Sequence, residues 1–170
     1  MAATLATTIT GKIALNYTSV IGGTTGKFAP EMVFNDTLAT GTIVDTGDYA
    51  WWRLPQSITG SATDSHDCAS GLTDVFGTTL IFVKLKLVII HNLSTTVGNT
   101  ITVGGNANGV PIFGTAAHTH TIGPNGFAIW HEPSLAGLAT VTAGTGDILD
   151  VANDTANAIT YNIIIVGTSA

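Results

Sequence analysis

Residues 80–92, LIFVKLKLVIIHN, decide the fold because their apolar side chains alternate over the length of a β-strand. One predicted face is wholly apolar and consists of Ile81, Val83, Leu85, Leu87 and Ile89. The other face mixes apolar side chains with Lys84 and Lys86. A strand with one apolar face and one mixed face is typical of a β-sandwich.

A second alternating stretch, residues 158–166 (AITYNIIIV), lies close to the C-terminus. Its predicted inner face consists of Ile159, Tyr161, Ile163 and Ile165. Shorter apolar runs bounded by Gly, Pro and Asn recur between these two segments, at a spacing of roughly 8–14 residues, and no segment has a convincing helical period. The pattern predicts an all-β chain that folds as a single jelly-roll-like antiparallel β-sandwich.

The composition supports this fold class and excludes several others. The 170 residues are 45% hydrophobic and only 9% charged, which excludes a disordered chain. The chain has 29 Thr and 20 Gly residues, which favour strands and turns. So few charges leave a largely neutral surface, and neutral surfaces favour self-association.

Charge and cysteine content limit the partners. The net charge is −6, and five basic residues cannot form a phosphate-binding stripe, so we expect no nucleic-acid ligand. Lys84 and Lys86 interrupt the longest apolar stretch, and no signal peptide is recognisable, so we expect no membrane association. Cys68 is the only cysteine, which predicts a small buried apolar residue without a disulfide partner.

The sequence divides into a short arm and one domain. Residues 1–8 are small and neutral, which predicts an N-terminal arm that is ordered only against a neighbouring subunit. Residues 9–170 form the predicted sandwich domain. Within it, residues 38–45 are predicted as a strand and the polar stretch 55–71 as a loop.

Three tryptophans are candidates for an interface. Trp51 and Trp52 are adjacent, so in a strand they point to opposite faces, with one in the core and one available for contact. Trp130 and His131 repeat this arrangement. Aromatic side chains are enriched in interface cores, and Trp51, Trp52 and Trp130 are the predicted interface candidates.

The sequence His118-Thr119-His120 is the one motif with a metal-ligand spacing. In a strand both imidazoles share a face, and three copies around a three-fold axis would supply six nitrogen ligands. One chain supplies only two, so we interpret His118 and His120 as ordinary surface or interface residues and predict no metal and no other cofactor.

Other polar clusters do not indicate an enzyme. The segment 64–68 (DSHDC) brings Ser, His, Asp and Cys together, but catalytic sets are assembled from distant segments, so a polar surface loop is the favoured interpretation. Asp147, Asp150 and Asp154 lack a calcium-loop spacing and are interpreted as solvated turn residues. We therefore predict no catalytic residue.

Three segments resemble small virion structural proteins of tailed bacteriophages. They are Trp51-Trp52-Arg53 leading into GLTDVFGTTL (residues 71–80), FVKLKLVIIHNLSTTVGNTITVGG (residues 82–105), and VTAGTGDILDVANDTANAITYNIIIVGTSA (residues 141–170). Proteins of this kind carry a β-sandwich and are encoded in head and tail gene clusters. The resemblance implies a self-associating shell or tail component and no catalyst.

This resemblance, with the neutral surface and the arm, predicts a capsid decoration (cement) protein located in the virion. Its expected partners are itself, as a homotrimer, and the major capsid protein or other virion proteins. The alternative is a phage tail component, such as a tail-tube or baseplate protein or a fibre tip that binds a glycan through exposed tryptophans. A non-viral carbohydrate-binding or adhesion module comes third, and an enzyme last.

Overall fold

The computed structural model describes residues 5–15, 17–21 and 24–170, and within them the protein is all-β and has no helix. No helix able to span a membrane is therefore found in this part of the chain. Antiparallel sheets pack as a jelly-roll-like β-sandwich, which confirms the predicted fold class. The strands are β1 (Thr7–Ala14), β2 (Tyr17–Ile21), β3 (Thr24–Phe28), β4 (Glu31–Leu38), β5 (Tyr49–Ile58), β6 (Thr63–Asp67), β7 (Leu72–Thr73), β8 (Thr79–Leu80), β9 (Lys84–Asn92), β10 (Ile101–Gly104), β11 (Thr119–Ile122), β12 (Phe127–His131), β13 (Ala139–Thr140), β14 (Ile148–Asn153) and β15 (Ile159–Thr168).

Two sheets face each other across the main core. One has four strands in the order β11-β10-β14-β6, and the other has the order β12-β9-β15-β5, with β13 also paired to β9. Their facing side chains form one apolar cluster, to which the four-stranded sheet contributes Ile101, Val103, Ile122, Leu149 and Val151. This core makes the five-stranded sheet a rigid support for whatever lies on its outer face.

Strand β15 is the centre of the five-stranded sheet, paired on one side with β9 and on the other with β5. The predicted inner face is confirmed: its four members are all within 1% of complete burial and belong to the main core, namely Ile159, Tyr161, Ile163 and Ile165. Each fully buried aliphatic side chain contributes about 1.5–3 kcal/mol to folding, so this strand is a major source of stability.

Strand β9 corrects the predicted assignment of its faces. Val88 and Ile90 lie in the main core, whereas Leu87 lies on the opposite, outer face of the sheet. The cause is a bulge, because Val166 pairs with Leu87 but the next residue of β15 pairs with Leu85, which leaves Lys86 as an extra residue. An extra residue inverts the alternation, so the predicted apolar face changes sides within the strand.

A two-stranded β-ribbon forms a third layer on the outer face of the five-stranded sheet. Thr7 pairs with Leu38 at its base, and the described pairs of β1 with β4 and of β2 with β3 keep one register, as far as Ile21 with Thr24. Ile9 and Leu38 at the base pack on Leu87 and Val166 of the sheet. Because the main core covers one face of β9 and the ribbon covers the other, both faces of the strand are apolar.

The predicted N-terminal arm is wrong where the structure describes it. Residues 1–4 lie outside the described residues. Residues 5–8 are seated on their own chain, since β1 begins at Thr7 and Leu5 packs against the cluster at the ribbon base. The carbonyl of Leu5 also accepts a hydrogen bond from the Thr40 hydroxyl. The predicted arm is thus the first part of the ribbon. Pairing with β4 satisfies the hydrogen-bonding groups of its backbone.

Two further predictions are wrong in detail. The predicted loop at 55–71 contains the end of β5 and all of β6, whose polar side chains conceal an edge strand paired with β14. The predicted strand at 38–45 is a series of bends and turns instead. There the Thr46 hydroxyl accepts the backbone N–H of Ile43 at 2.7 Å and holds the turn closed.

Candidate interaction surfaces and the buried polar network

The paired tryptophans of β5 point to opposite faces of the sheet, as predicted. Trp51 is 4% exposed and belongs to the main core, with the Arg53 guanidinium 4.8 Å from its ring centroid. Trp52 is 40% exposed and lies on the outer face. Trp51 is therefore a packing residue, and Trp52 is the member of the pair that a partner can reach.

Trp130 lies in a small aromatic cluster at the edge of the main core. Its ring is 5.1 Å from the Phe113 ring and 5.4 Å from the His120 ring, both in edge-to-face geometry. Such contacts contribute about 0.5–1.5 kcal/mol beyond area burial. Trp130 is only half-buried and packs against the core, so its contacts within the chain already account for its position.

The two predicted metal-ligand candidates have separate surroundings. His118 precedes β11, and its Nδ1 lies 2.8 Å from the carbonyl oxygen of Phe113. His120 belongs to β11 and stacks with the aromatic cluster. Among the residues that the structure describes, no group of three or more His, Cys, Asp or Glu side chains could hold a metal ion. The interpretation of His118 and His120 as ordinary surface or interface residues stays a prediction.

The segment 64–68 is not the predicted surface loop: residues 64–67 belong to the edge strand β6, within which His66 is buried, and buried Cys68 follows the strand. The Tyr161 hydroxyl donates to Asp64 Oδ2 at 2.8 Å and lies 2.8 Å from His66 Nε2. A hydroxyl that donates its only proton to the carboxylate must accept from the imidazole, so His66 carries its proton on Nε2. Burial lowers the pKa of His66, against the opposing effect of Asp64. The three side chains form one hydrogen-bonded network in which His66 and Tyr161 are buried and Asp64 is partly exposed.

Cys68 confirms the prediction of a buried apolar residue. It is 0% exposed, and burial raises the pKa of its thiol to about 12. Because the thiolate is the nucleophilic form, this thiol is unreactive near neutral pH. Asp67, next to it, accepts the backbone N–H groups of Ala69 and Ser70 and so closes the turn after β6.

The C-terminal aspartates have structural partners. Asp150 accepts the Ser65 hydroxyl at 2.6 Å and the Asn106 amide at 2.9 Å. Asp154 accepts the Thr102 hydroxyl at 2.8 Å. Asp147 is buried and accepts a backbone N–H of the neighbouring turn, so it is not the solvated residue that the sequence predicted.

A groove of about 290 Å³ lies at the β5 edge of the five-stranded sheet. The short hairpin β7–β8 forms one wall, and the Asp74 carboxylate accepts the N–H groups of Phe76 and Thr78 at its turn. This turn holds Phe76 at 83% exposure and Val75 at 64% exposure. The remaining lining consists of Leu5, Asp48, Tyr49, Ala50, Trp52 and Leu80. The groove is an apolar site whose aromatic walls are fixed by backbone hydrogen bonds.

The ribbon carries a second apolar surface. Cross-strand partners share a face, so Gly11 faces Phe34 and Ile13 faces Met32. The Phe34 ring lies across Gly11 and occupies the space that a Cβ there would take. Lys12 pairs with Glu31 at 2.7 Å on the opposite, polar face. The contribution of β4 to this surface could not be found from sequence, because it depends on long-range pairing.

No family model, no curated protein and no solved structure matches the chain.

Proposed function

We propose that the protein is a structural protein of a bacteriophage virion, a capsid decoration (cement) protein that forms a homotrimer and binds the major capsid lattice. The observation that carries the proposal is the pair of exposed apolar surfaces, the ribbon and the groove, on a chain with only 9% charged residues. Apolar patches of this kind mark sites of protein–protein contact.

The physical task of a cement protein fits these surfaces. Such a protein must adhere to a repeating lattice through contacts that need no chemistry and little charge. Its affinity then comes from buried apolar area, which salt screens far less than it screens charge pairs. The resemblance of residues 82–105 and 141–170 to phage virion proteins points to the same role.

The buried polar network supports a structural role over a catalytic one. His66 is 5% exposed and Tyr161 is fully buried, so neither can touch a substrate in this structure. Buried polar networks that satisfy all their members stabilise one arrangement of a core. We assign Asp64, His66 and Tyr161 to fixing β6 against β15 and assign no residue to catalysis.

Copy number in purified virions tests the proposal. Mass spectrometry of intact particles should find the protein at hundreds of copies, in a fixed ratio to the major capsid protein. Purified protein added to capsids that lack it should co-sediment with them and saturate at that ratio, with little change between 50 mM and 500 mM salt. Absence from virions, or no binding to capsids, would contradict the proposal.

A second candidate function is a phage tail component, of which a glycan-binding fibre tip is favoured by one observation. The groove brings Tyr49, Trp52 and Phe76 together, and exposed aromatic faces suit the apolar face of a sugar ring. A tail component should be present at a handful of copies per virion. For the fibre tip, binding on a glycan array should be lost in Trp52→Ala and kept in the control Val97→Ala.

A further inference from the structure

The apolar face of the ribbon extends beyond the sheet on which it is seated. At the base Ile9 is 8% exposed, but along the same face exposure rises to 37% at Phe34, 50% at Ile13 and 59% at Leu15. Met32, opposite Ile13, is 57% exposed. Together these side chains expose apolar surface on the order of 400 Å², as large as the interaction patches of soluble proteins.

The ribbon runs from one edge of the five-stranded sheet towards the other. At its base Leu5 packs near Ala50 of β5. Farther along, Asp36 Oδ2 lies 3.2 Å from His131 Nε2 of β12, and Phe34 shares a small cavity with Ile129 of the same strand. Strand β12 is the edge opposite β5. The exposed part of the apolar face therefore begins at the β12 edge.

The groove lies at the β5 edge, next to the ribbon base and remote from the exposed end of the apolar face at the β12 edge. Its lining includes Trp52 and Ala50 of β5. A two-stranded ribbon in unbroken register cannot turn back across its sheet to reach it. The apolar face of the ribbon and the groove can therefore bury each other only between different copies of the chain.

We propose that the ribbon of one copy docks, by its apolar face at Ile13, Met32 and Phe34, into the groove formed by Trp52 and Phe76 of the next copy. This inference rests on the self-association that belongs to the proposed function and names the surfaces that perform it. Each copy gives one ribbon and accepts one, so the contact is head-to-tail and forms a ring where the rotation closes.

The chemistry of the groove favours this occupant. Its two carboxylates are already engaged, Asp48 with Ser169 and Asp74 with the turn of its own hairpin. Among the described residues that line it none is basic, which disfavours an anionic ligand. What remains is apolar wall, for which an apolar ribbon face is the matching surface.

The groove is also continuous with the seat of the ribbon within each chain. Leu5 and Ala50 line the groove and also pack against the cluster of Ile9 and Leu38 beneath the ribbon base. An incoming ribbon would thus extend an apolar contact that already exists. The paired strands from Thr7 to Ile21 span about 50 Å at roughly 3.4 Å per residue, enough to cross to a neighbouring domain.

Covalent trapping of the full chain tests the proposal. The double variant Met32→Cys/Phe76→Cys places one thiol on each surface, and native Cys68 is buried and does not compete. Treatment with a short bis-maleimide should link the double variant into a ladder that ends at three chains, whereas either single variant should stay unlinked. The matched control Met32→Cys/Val97→Cys carries its second thiol on a loop residue that is 95% exposed and should give no ladder.

The remaining outcomes each overturn the inference in a different way. Linking of Met32→Cys alone would indicate a ribbon–ribbon contact, and a linked monomer of the double variant would place the ribbon in its own groove. An oligomer in sedimentation without the ladder would leave the proposed self-association standing and reject this docking. A monomer in sedimentation, with no ladder, would reject both.

Point variants give a second readout that does not depend on cross-linking. Phe76→Asp changes a side chain that is 83% exposed, so its folding should be unaffected. Its self-association should weaken at least tenfold in sedimentation, whereas Val97→Asp should associate as the wild type does. Equal association of Phe76→Asp and wild type would contradict the docking.

Discussion

Replacing Tyr161 by Phe would remove one oxygen from the middle of the buried polar network while keeping the aromatic ring. The hydroxyl joins Asp64 and His66 at 2.8 Å on each side. Asp64 is partly exposed, so water can replace its lost donor, but His66 is 5% exposed and its Nε2–H would be left without a partner. A buried polar group without a partner costs about 1–3 kcal/mol, and we expect the free energy of unfolding to fall by that amount.

Urea unfolding followed by tryptophan fluorescence measures this change. The Trp51 ring is 5.0 Å from the His66 ring and should report on the region directly. Protein concentration must be held constant, since self-association adds to apparent stability. Tyr49→Phe is the matched control, because the Tyr49 ring packs edge-to-face on Phe82 and no hydrogen bond of its hydroxyl is found within the described residues.

A double-mutant cycle tests the reasoning itself. In His66→Leu combined with Tyr161→Phe no buried donor is left unpaired, so the double variant should lose less stability than the two single variants added together, by about 0.5–3 kcal/mol. Additive effects, or a change of less than about 0.5 kcal/mol in Tyr161→Phe, would refute the account of the network.

Three further predictions follow from other contacts. Burial lowers the pKa of His66 from 6.5, while Asp64 and Asp150 oppose this shift and Arg53 assists it. Just below pH 6.5 the imidazole is therefore protonated in the unfolded chain but not in the folded one. Stability should fall as pH drops below 6.5, by up to about 1.4 kcal/mol per pH unit, and His66→Gln should flatten that slope in urea titrations between pH 6.5 and 5. Deleting residues 1–8 should lower the Tm by several degrees, because the Leu5 contact and two strand pairs at the ribbon base are lost. An unchanged Tm would indicate that these residues are a free arm. Protein purified without a nickel column should contain no stoichiometric transition metal and keep its Tm with chelator; a Tm lowered by chelator in wild type but not in His118→Ala/His120→Ala would instead indicate a shared site.

The sequence predicted most of what depends on local alternation. The inner face of β15 and the opposite directions of Trp51 and Trp52 follow from the two-residue period of a strand and are confirmed. The faces of β9 were inverted because a bulge at Lys86 depends on pairing with β15, which local sequence does not encode. Where the chain alternates without interruption, prediction and structure agree.

The sequence did not predict features that depend on which distant segments meet. The polar sequence of strand β6, TDSHD, predicts a loop, yet His66 is buried there and pairs with the Tyr161 hydroxyl. The groove depends on a hairpin turn that holds Phe76 beside Trp52, two residues far apart in sequence. Their place in one groove arises from tertiary packing, for which the sequence alone carries no local signal.

The unbroken register of the ribbon has a consequence for how related chains can vary in length. Because each pair from Thr7 with Leu38 onward keeps one register, an insertion in one strand must be matched by an insertion in its partner or the apolar face is lost. Two residues added to each strand keep that face and lengthen the ribbon by about 7 Å. The length of the ribbon thus changes in discrete steps while its base stays fixed, independently of the sandwich that carries it.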